Sequence, residues 1–511
     1  MRLRTIPLAA IAVLFLCSIR LPAAQINVGP GDNYSKIEKA KAGDEVIIAP
    51  GTYAFRVYLT QQAPATNPIY IHAQDPANPP VWDFGTNLVD NAPGDYTAGD
   101  TARGAWQFSG AEGYTISGII FKNCRNKAVN CSGIRYYETT TNLYIKSCLF
   151  VSNDVGITGG TQDSQARIEF CEFNRNGNTK ASSSAPTHNI YIYGGYLTMR
   201  YCYLHDSVQG QNFHIRCRQS TLEYNWFARA ANYEGDLMSD DDFGEGYDNP
   251  PYSQTMILRG NVIVQNNSPG NHSQVIAIYN DESIDGLTMS VQALYNTFVG
   301  TYGSSQFVHV SNADGTSMNT QISDNIISGT TAPYYIEDAS NGSASGVNNW
   351  LPTKATVGAL LNTVQSASPG FVNTNTAVED YHLAAGSVCI GAADTQVYGL
   401  PGREYFYNET TNLMWRPRAA ARDIGAFEST SPDDAVGPYD AMPQPSMSIT
   451  ANASDLSISW PLFAQDFQID QSSLAEPPMW TPASLTLTTN AANVAAIIPI
   501  GSTRRFYRLR Q

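Results

Sequence analysis

The chain has 511 residues, 42% of them hydrophobic and 15% charged, with a net charge of −15. That length exceeds what one compact core usually spans, so two domains or one elongated repeat are expected, and the ordinary globular composition excludes a disordered chain. The acidic balance disfavours nucleic acid and anionic membranes as partners, and an anionic polymer would have to meet a local basic patch or a bound cation.

The first element is a leader. Arg2 and Arg4 precede an apolar run from Ile6 to Leu16, and small residues follow at Ala23 and Ala24. This predicts a signal peptide over residues 1–24 and therefore a secreted, periplasmic or cell-surface protein. No other segment approaches twenty apolar residues, so no membrane insertion is expected. Cleavage takes the net charge to −18 and leaves seven cysteines, an odd number unlike a disulfide scaffold.

A phrase then recurs: an alternating strand, a Cys or Asn, and a bulky apolar pair. It reads "LYIKSCLF", "ARIEFCEF", "LTMRYCYL", "TLEYNWF", "MILRGNVI", "ALYNTF" and "QISDNII". The marked residues are Cys148, Cys171, Cys202, Asn225, Asn261, Asn296 and Asn325, spaced by 23, 31, 23, 36, 35 and 29. A floor of 23 with variable excess predicts a coil of three short strands whose turns carry insertions. Aligned asparagines can bond one to the next inside such a stack, and the cysteines read as small buried fillers of the same slot.

A further strand in each coil is "NIYIYGG", "NFHIRCR", "DLMSDDD", "VIAIYND", "FVHVSNAD" and "YIEDAS". Ile190, Ile192, Phe213, Ile215, Leu237, Ile276, Ile278, Val308 and Val310 share one parity and are predicted to point inward. The other parity forms three outward rows. One is Asn189, Asn212, Asp236; the next is Tyr191, His214, Met238, Ala277, His309; the third is Tyr193, Arg216, Asp240, Tyr279. Insertions at 178–188 and 242–254 flank this patch.

The pattern resembles the right-handed parallel β-helix of the pectate-lyase-like superfamily, in its secreted polysaccharide-active branch, over residues 25–430. "AKAGDEVIIAPGTY" is similar to the opening coil of those proteins, and "DYHLAAGSVCIGAAD" with "ARDIGAFE" to their closing segment. The stretch from His188 to Arg216 resembles a recurring segment of secreted β-helix proteins, matching at His188, Asn189, Tyr191, Gly210, Asn212 and Arg216. It departs at Gln211 and at His214, where His and Lys are usual. Residues 431–446 read as a linker and 447–511 as a small β-sandwich, similar to C-terminal modules of secreted bacterial proteins. The fold class expected is therefore all-β, a parallel β-helix solenoid followed by a small sandwich.

The resemblance implies a polysaccharide partner for a protein expected to be a monomer. For a lyase, β-elimination needs a neutralised carboxylate, a base for the C5 proton and an acid for the leaving oxygen. His214, Arg216, Tyr191, Tyr193 and Asp240 are the catalytic candidates. His188, Asn189, Asn212, Arg218, Tyr279 and His309 are the substrate-binding ones. Asp236, Asp240, Asp241 and Asp242 offer hard oxygens for Ca2+, which superfamily lyases commonly use. His205 and Asp206 read as structural. Two rivals stand beside the lyase: a glycoside hydrolase using Asp236 and Asp240 as paired carboxylates, and a non-catalytic glycan-binding or envelope protein.

Overall fold

The computed structural model describes residues 23–510 except 95–102, 162, 183–184, 241–249, 266–273, 281–283, 301–306, 313–315, 330–335, 340–343, 395–398, 409–411, 419–421, 430–446, 452–453, 462–466, 474–480, 490–492 and 500–504. The proposed leader (but for its last two residues) and the proposed linker lie outside the described residues.

Three long parallel sheets wind around one core, forming a right-handed parallel β-helix. In each coil the chain runs through sheet I, sheet II and sheet III, with ten, thirteen and twelve strands among the described residues. Sheet I runs from Val57–Leu59 to Ile336–Ala339, sheet II from Gln25–Val28 to Leu360–Leu361, and sheet III from Thr52–Tyr53 to Val364–Ser366. The inward residues expected on sheet I, from Ile190 to Val310, are all buried.

The recurring Cys or Asn sits at the bend from sheet II to sheet III. Immediately before it, Ser147, Phe170, Tyr201, Tyr224, Tyr295, Asp324 and Asn348 take left-handed φ values between 51° and 57°, which turns the chain in two residues. So sharp a bend leaves backbone groups that the sheets cannot pair. Asn225, Asn261, Asn296, Asn325 and Asn349 satisfy them, each side-chain amide donating to the next asparagine's oxygen at 3.0 Å. Cys148, Cys171 and Cys202 are buried in the same slot as expected, and none of the seven described cysteines is bridged. Phe121, Phe150 and Phe173 stack inside with centroids 5.1 and 4.7 Å apart, near the spacing of the strands that carry them.

From the two stretches similar to a closing segment, Tyr381, Ala426 and Phe427 lie against Ala228, Val262, Val264 and Val299 on the flank of sheet III. They cover outward apolar side chains that would otherwise leave the flank as bare hydrocarbon. Beyond Met447 the chain forms a four-stranded and a three-stranded antiparallel sheet around Ile458, Trp460, Ile469, Val494 and Ala496, the small β-sandwich expected.

Candidate active site

The candidate site lies on the outer face of sheet I, on strands Ile190–Tyr193, Phe213–Arg216, Gly235–Met238 and Ile276–Tyr279. Its rows differ from those expected. The strand pairing puts Asp236 beside His214, and Met238 beside Tyr279, so the true rows are Tyr191, His214, Asp236, Ala277, His309 and Tyr193, Arg216, Met238, Tyr279. The expected register was off by two residues at this one strand. A two-residue slip preserves which side chains face out, so alternation cannot detect it.

What sets the register is a second ladder, inside the coil and invisible to the row-reading. Asn153, Asn176, Asn189 and Asn212 bond in series at 2.9, 2.8 and 2.6 Å, and Asn212 donates to Glu234 at 2.6 Å. Glu234 also accepts the Ala230 N–H at 2.9 Å. Asn189 and Asn212 are fully buried, so they are structural residues and not the outward substrate contacts expected of them. Because Glu234 occupies the slot of Asn212, Asp236 falls two residues on, level with His214.

His214 Nδ1 lies 2.8 Å from Asp236 Oδ2. A carboxylate only accepts, so Nδ1 carries the hydrogen and the neutral ring keeps its Nε2 lone pair for a proton. Asp236 is 1% exposed, while His214 reaches the surface at 14%. His188 stacks on the imidazole at 4.8 Å. Its own Nδ1 accepts the Gln211 N–H at 3.1 Å, and burial, helped by His214 nearby, pushes its pKa down to about 3, so it stays neutral. Tyr191 meets His214 edge to face at 4.6 Å, with Tyr193 alongside at 5.4 Å.

Tyr233, which the sequence reading missed, stands beside the group: burial, with the Asp236 charge nearby, raises its pKa far above the tyrosine range. It precedes the strand by two residues, in a loop where periodicity carries no signal. Arg216 is on the outward parity two residues along from His214 but is buried at 7% exposure, with its Nε donating to the Ser239 carbonyl at 2.8 Å.

Asp240 is fully buried and pairs with Arg218 at 3.4 Å, and the strand register puts Met238, not Asp240, in the row of Arg216. The hydrolase pair Asp236 and Asp240 is therefore not two open carboxylates, since one serves His214 and the other Arg218. Among the described residues no group of three His, Cys, Asp or Glu converges. Asp241 and Asp242 lie outside the described residues. His309 is three rungs from His214, about 14 Å along the sheet. His205, expected to be structural, is bound between Asp206 at 2.5 Å and Glu172 at 3.2 Å on sheet III.

The buried acids make stability depend on pH. Burial raises Glu234 to about 8 and Asp324 to about 7, so the stability each contributes is present below its unfolded pKa and lost as pH rises through these values. His188 acts oppositely, but only below its unfolded value of 6.5. The melting temperature is therefore expected to fall from about pH 4.5 to 8, most steeply just above 6.5 where His188 no longer opposes it, and Glu234→Gln to flatten that fall. An unchanged slope in the variant, followed by circular dichroism, would remove Glu234 from the account.

No family model matches the chain, and no curated protein matches it. Among solved structures it is similar to the pectate lyase Pel9A at 13% identity, over 80% of this chain and 97% of that one, with a TM-score of 0.48. It is also similar to an alginate lyase from Paenibacillus sp. str. FPU-7 at 14% identity, over 67% and 99%, TM-score 0.37. A GH136 lacto-N-biosidase from Eubacterium ramulus matches at 10% identity, over 66% and 65%, TM-score 0.36. These neighbours are polysaccharide lyases and a glycoside hydrolase; likeness at this level concerns the winding of the chain and transfers no activity. Among the described residues no helix is long and apolar enough to cross a membrane.

Proposed function

We propose that this protein is a polysaccharide lyase that cleaves a uronic-acid-containing glycan by β-elimination on the outer face of sheet I. The observation that carries the reading is the His214–Asp236 pair, 2.8 Å apart, on an outward row that also presents Tyr191. His214 Nε2 takes the proton from C5 of the uronate. The C5–H electrons form the C4–C5 double bond, the C4–O bond breaks, and the leaving oxygen takes the Tyr191 hydroxyl proton. Arg216 faces the uronate carboxylate, whose charge would otherwise oppose loss of the C5 proton. Asp236 holds the tautomer and faces the positive charge that forms on the ring.

Pectate and alginate, the polymers named for two of the similar structures, are the first substrates to screen. Purified protein is incubated with polygalacturonate and with alginate, with and without calcium, following ultraviolet absorbance and reducing ends together. The expected result is absorbance growing in step with reducing ends on one polymer, with Arg216→Ala raising KM about 10-fold or more through loss of a charge contact. Reducing ends without absorbance would replace elimination by hydrolysis, and silence in both channels beside measurable glycan binding would replace catalysis by recognition.

A further inference from the structure

A second surface of the solenoid carries sugar-binding chemistry away from His214. On the outer face of sheet II a groove of about 560 Å³ runs across successive coils, walled by Ala65 and Pro68. Its floor contains one side chain per rung: Thr115, Tyr144, Arg167 and Thr198 are lateral partners, spanning roughly 14 Å. Tyr196, paired with Gln165 in the same register, stands at the rim with 40% of its surface exposed, an unusual position for a large ring in a strand.

The electrostatics decide what fits there. Arg167 gives Nε and Nη2 to the two oxygens of Glu169 at 2.8 and 3.0 Å, and the Tyr144 hydroxyl donates to the same carboxylate at 2.8 Å. The guanidinium carbon lies over the Tyr144 ring, 4.7 Å from its centre. Its charge is thus compensated by a buried Glu169, and the groove offers flat faces with neutral amides and hydroxyls around them. Flat faces match the C–H face of a pyranose, and amides and hydroxyls match ring hydroxyls, so recognition here rests on the sugar ring and not on its carboxylate. Only a tight corner, Gly194 and Gly195, separates Tyr193 of the candidate active site from Tyr196 of the groove. A side chain at either position would strike the coil above, with a Cβ 2.5 Å from Thr161 or 2.1 Å from Ser164.

We propose that this groove is an auxiliary glycan-binding site that holds a hydroxyl-rich segment of the polymer outside the catalytic centre. The identity of the polymer rests on the lyase reading; the existence of the groove site does not. Its purpose is to keep the enzyme on long chains between turnovers, since two contacts on one polymer raise avidity without any new contact at the reacting sugar.

The test uses the whole protein in affinity electrophoresis through gels containing polygalacturonate or alginate, with Tyr196→Ala to remove the ring and Thr198→Trp to fill the groove. Both positions face solvent, and matching circular dichroism melts confirm the fold. Either change is expected to weaken retardation by about 5- to 10-fold in apparent Kd, the equivalent of one lost ring contact. Cleavage of a trimer of the active polymer should stay unchanged, and His214→Ala should still be retarded like the parent. Unchanged retardation in both groove variants overturns the site, as does a parent protein that neither polymer retards. Tyr196-dependent binding with no absorbance product from any polymer would instead overturn the lyase reading and leave the groove standing.

Discussion

Replacing His214 by alanine is expected to lower kcat by about 10²- to 10⁴-fold while changing KM little, because a positioned base contributes that much to proton abstraction. The ring reaches solvent with one nitrogen engaged by Asp236, so its loss removes a proton acceptor without opening the core. Asp236→Asn probes the same chemistry indirectly. An amide at 2.8 Å can offer its N–H to Nδ1, which would force the hydrogen onto Nε2 and leave the ring with no lone pair facing the substrate. A kcat loss approaching that of His214→Ala is expected, with a pH–rate profile whose acidic limb moves. If Asp236→Asn lowered stability but left the profile in place, the carboxylate would be a structural partner and not a positioning residue. Full activity in His214→Ala would relocate the base altogether.

The second large effect is on stability. Asn261→Ala is expected to cost about 3 kcal/mol or more, since each buried polar group left without a partner costs about 1–3 kcal/mol. Its amide nitrogen donates to the Leu222 carbonyl at 2.8 Å and to Asn296 at 3.0 Å, and its oxygen accepts the Asn225 backbone N–H at 2.9 Å. Alanine can replace none of these, and the bend is sealed from water at 0% exposure. Cys171→Ala, in the same slot three coils earlier, is the control and should cost only about 1 kcal/mol, the typical value for a small truncation. Chemical-denaturation midpoints compare the two directly. Equal losses would mean that the ladder contributes no more than packing, contrary to the geometry.

The two ladders show where the sequence was legible and where it was not. The Asn225-to-Asn325 series was readable because its members recur in one phrase, flanked each time by an alternating strand and an apolar pair. The Asn153-to-Glu234 series is not: its members sit in loops of unequal length, one is a carboxylate, and two were assigned to the outer face. That one omission displaced Asp236 and Asp240 by a row. His214, Arg216 and the tyrosines survived it, because their strands pair over an unbroken 23-residue step.

By itself, the sequence determined that strands coil in parallel, which residues face inward, and that His214, Tyr191 and Arg216 share an outer face. Those follow from a period of two and a repeating bend, both local properties of the chain. Only the tertiary structure decided which carboxylate stands beside the imidazole. Lateral register is set by bonds between coils, here Asn212 to Glu234, and a slip of two residues changes no residue's facing while changing every neighbour.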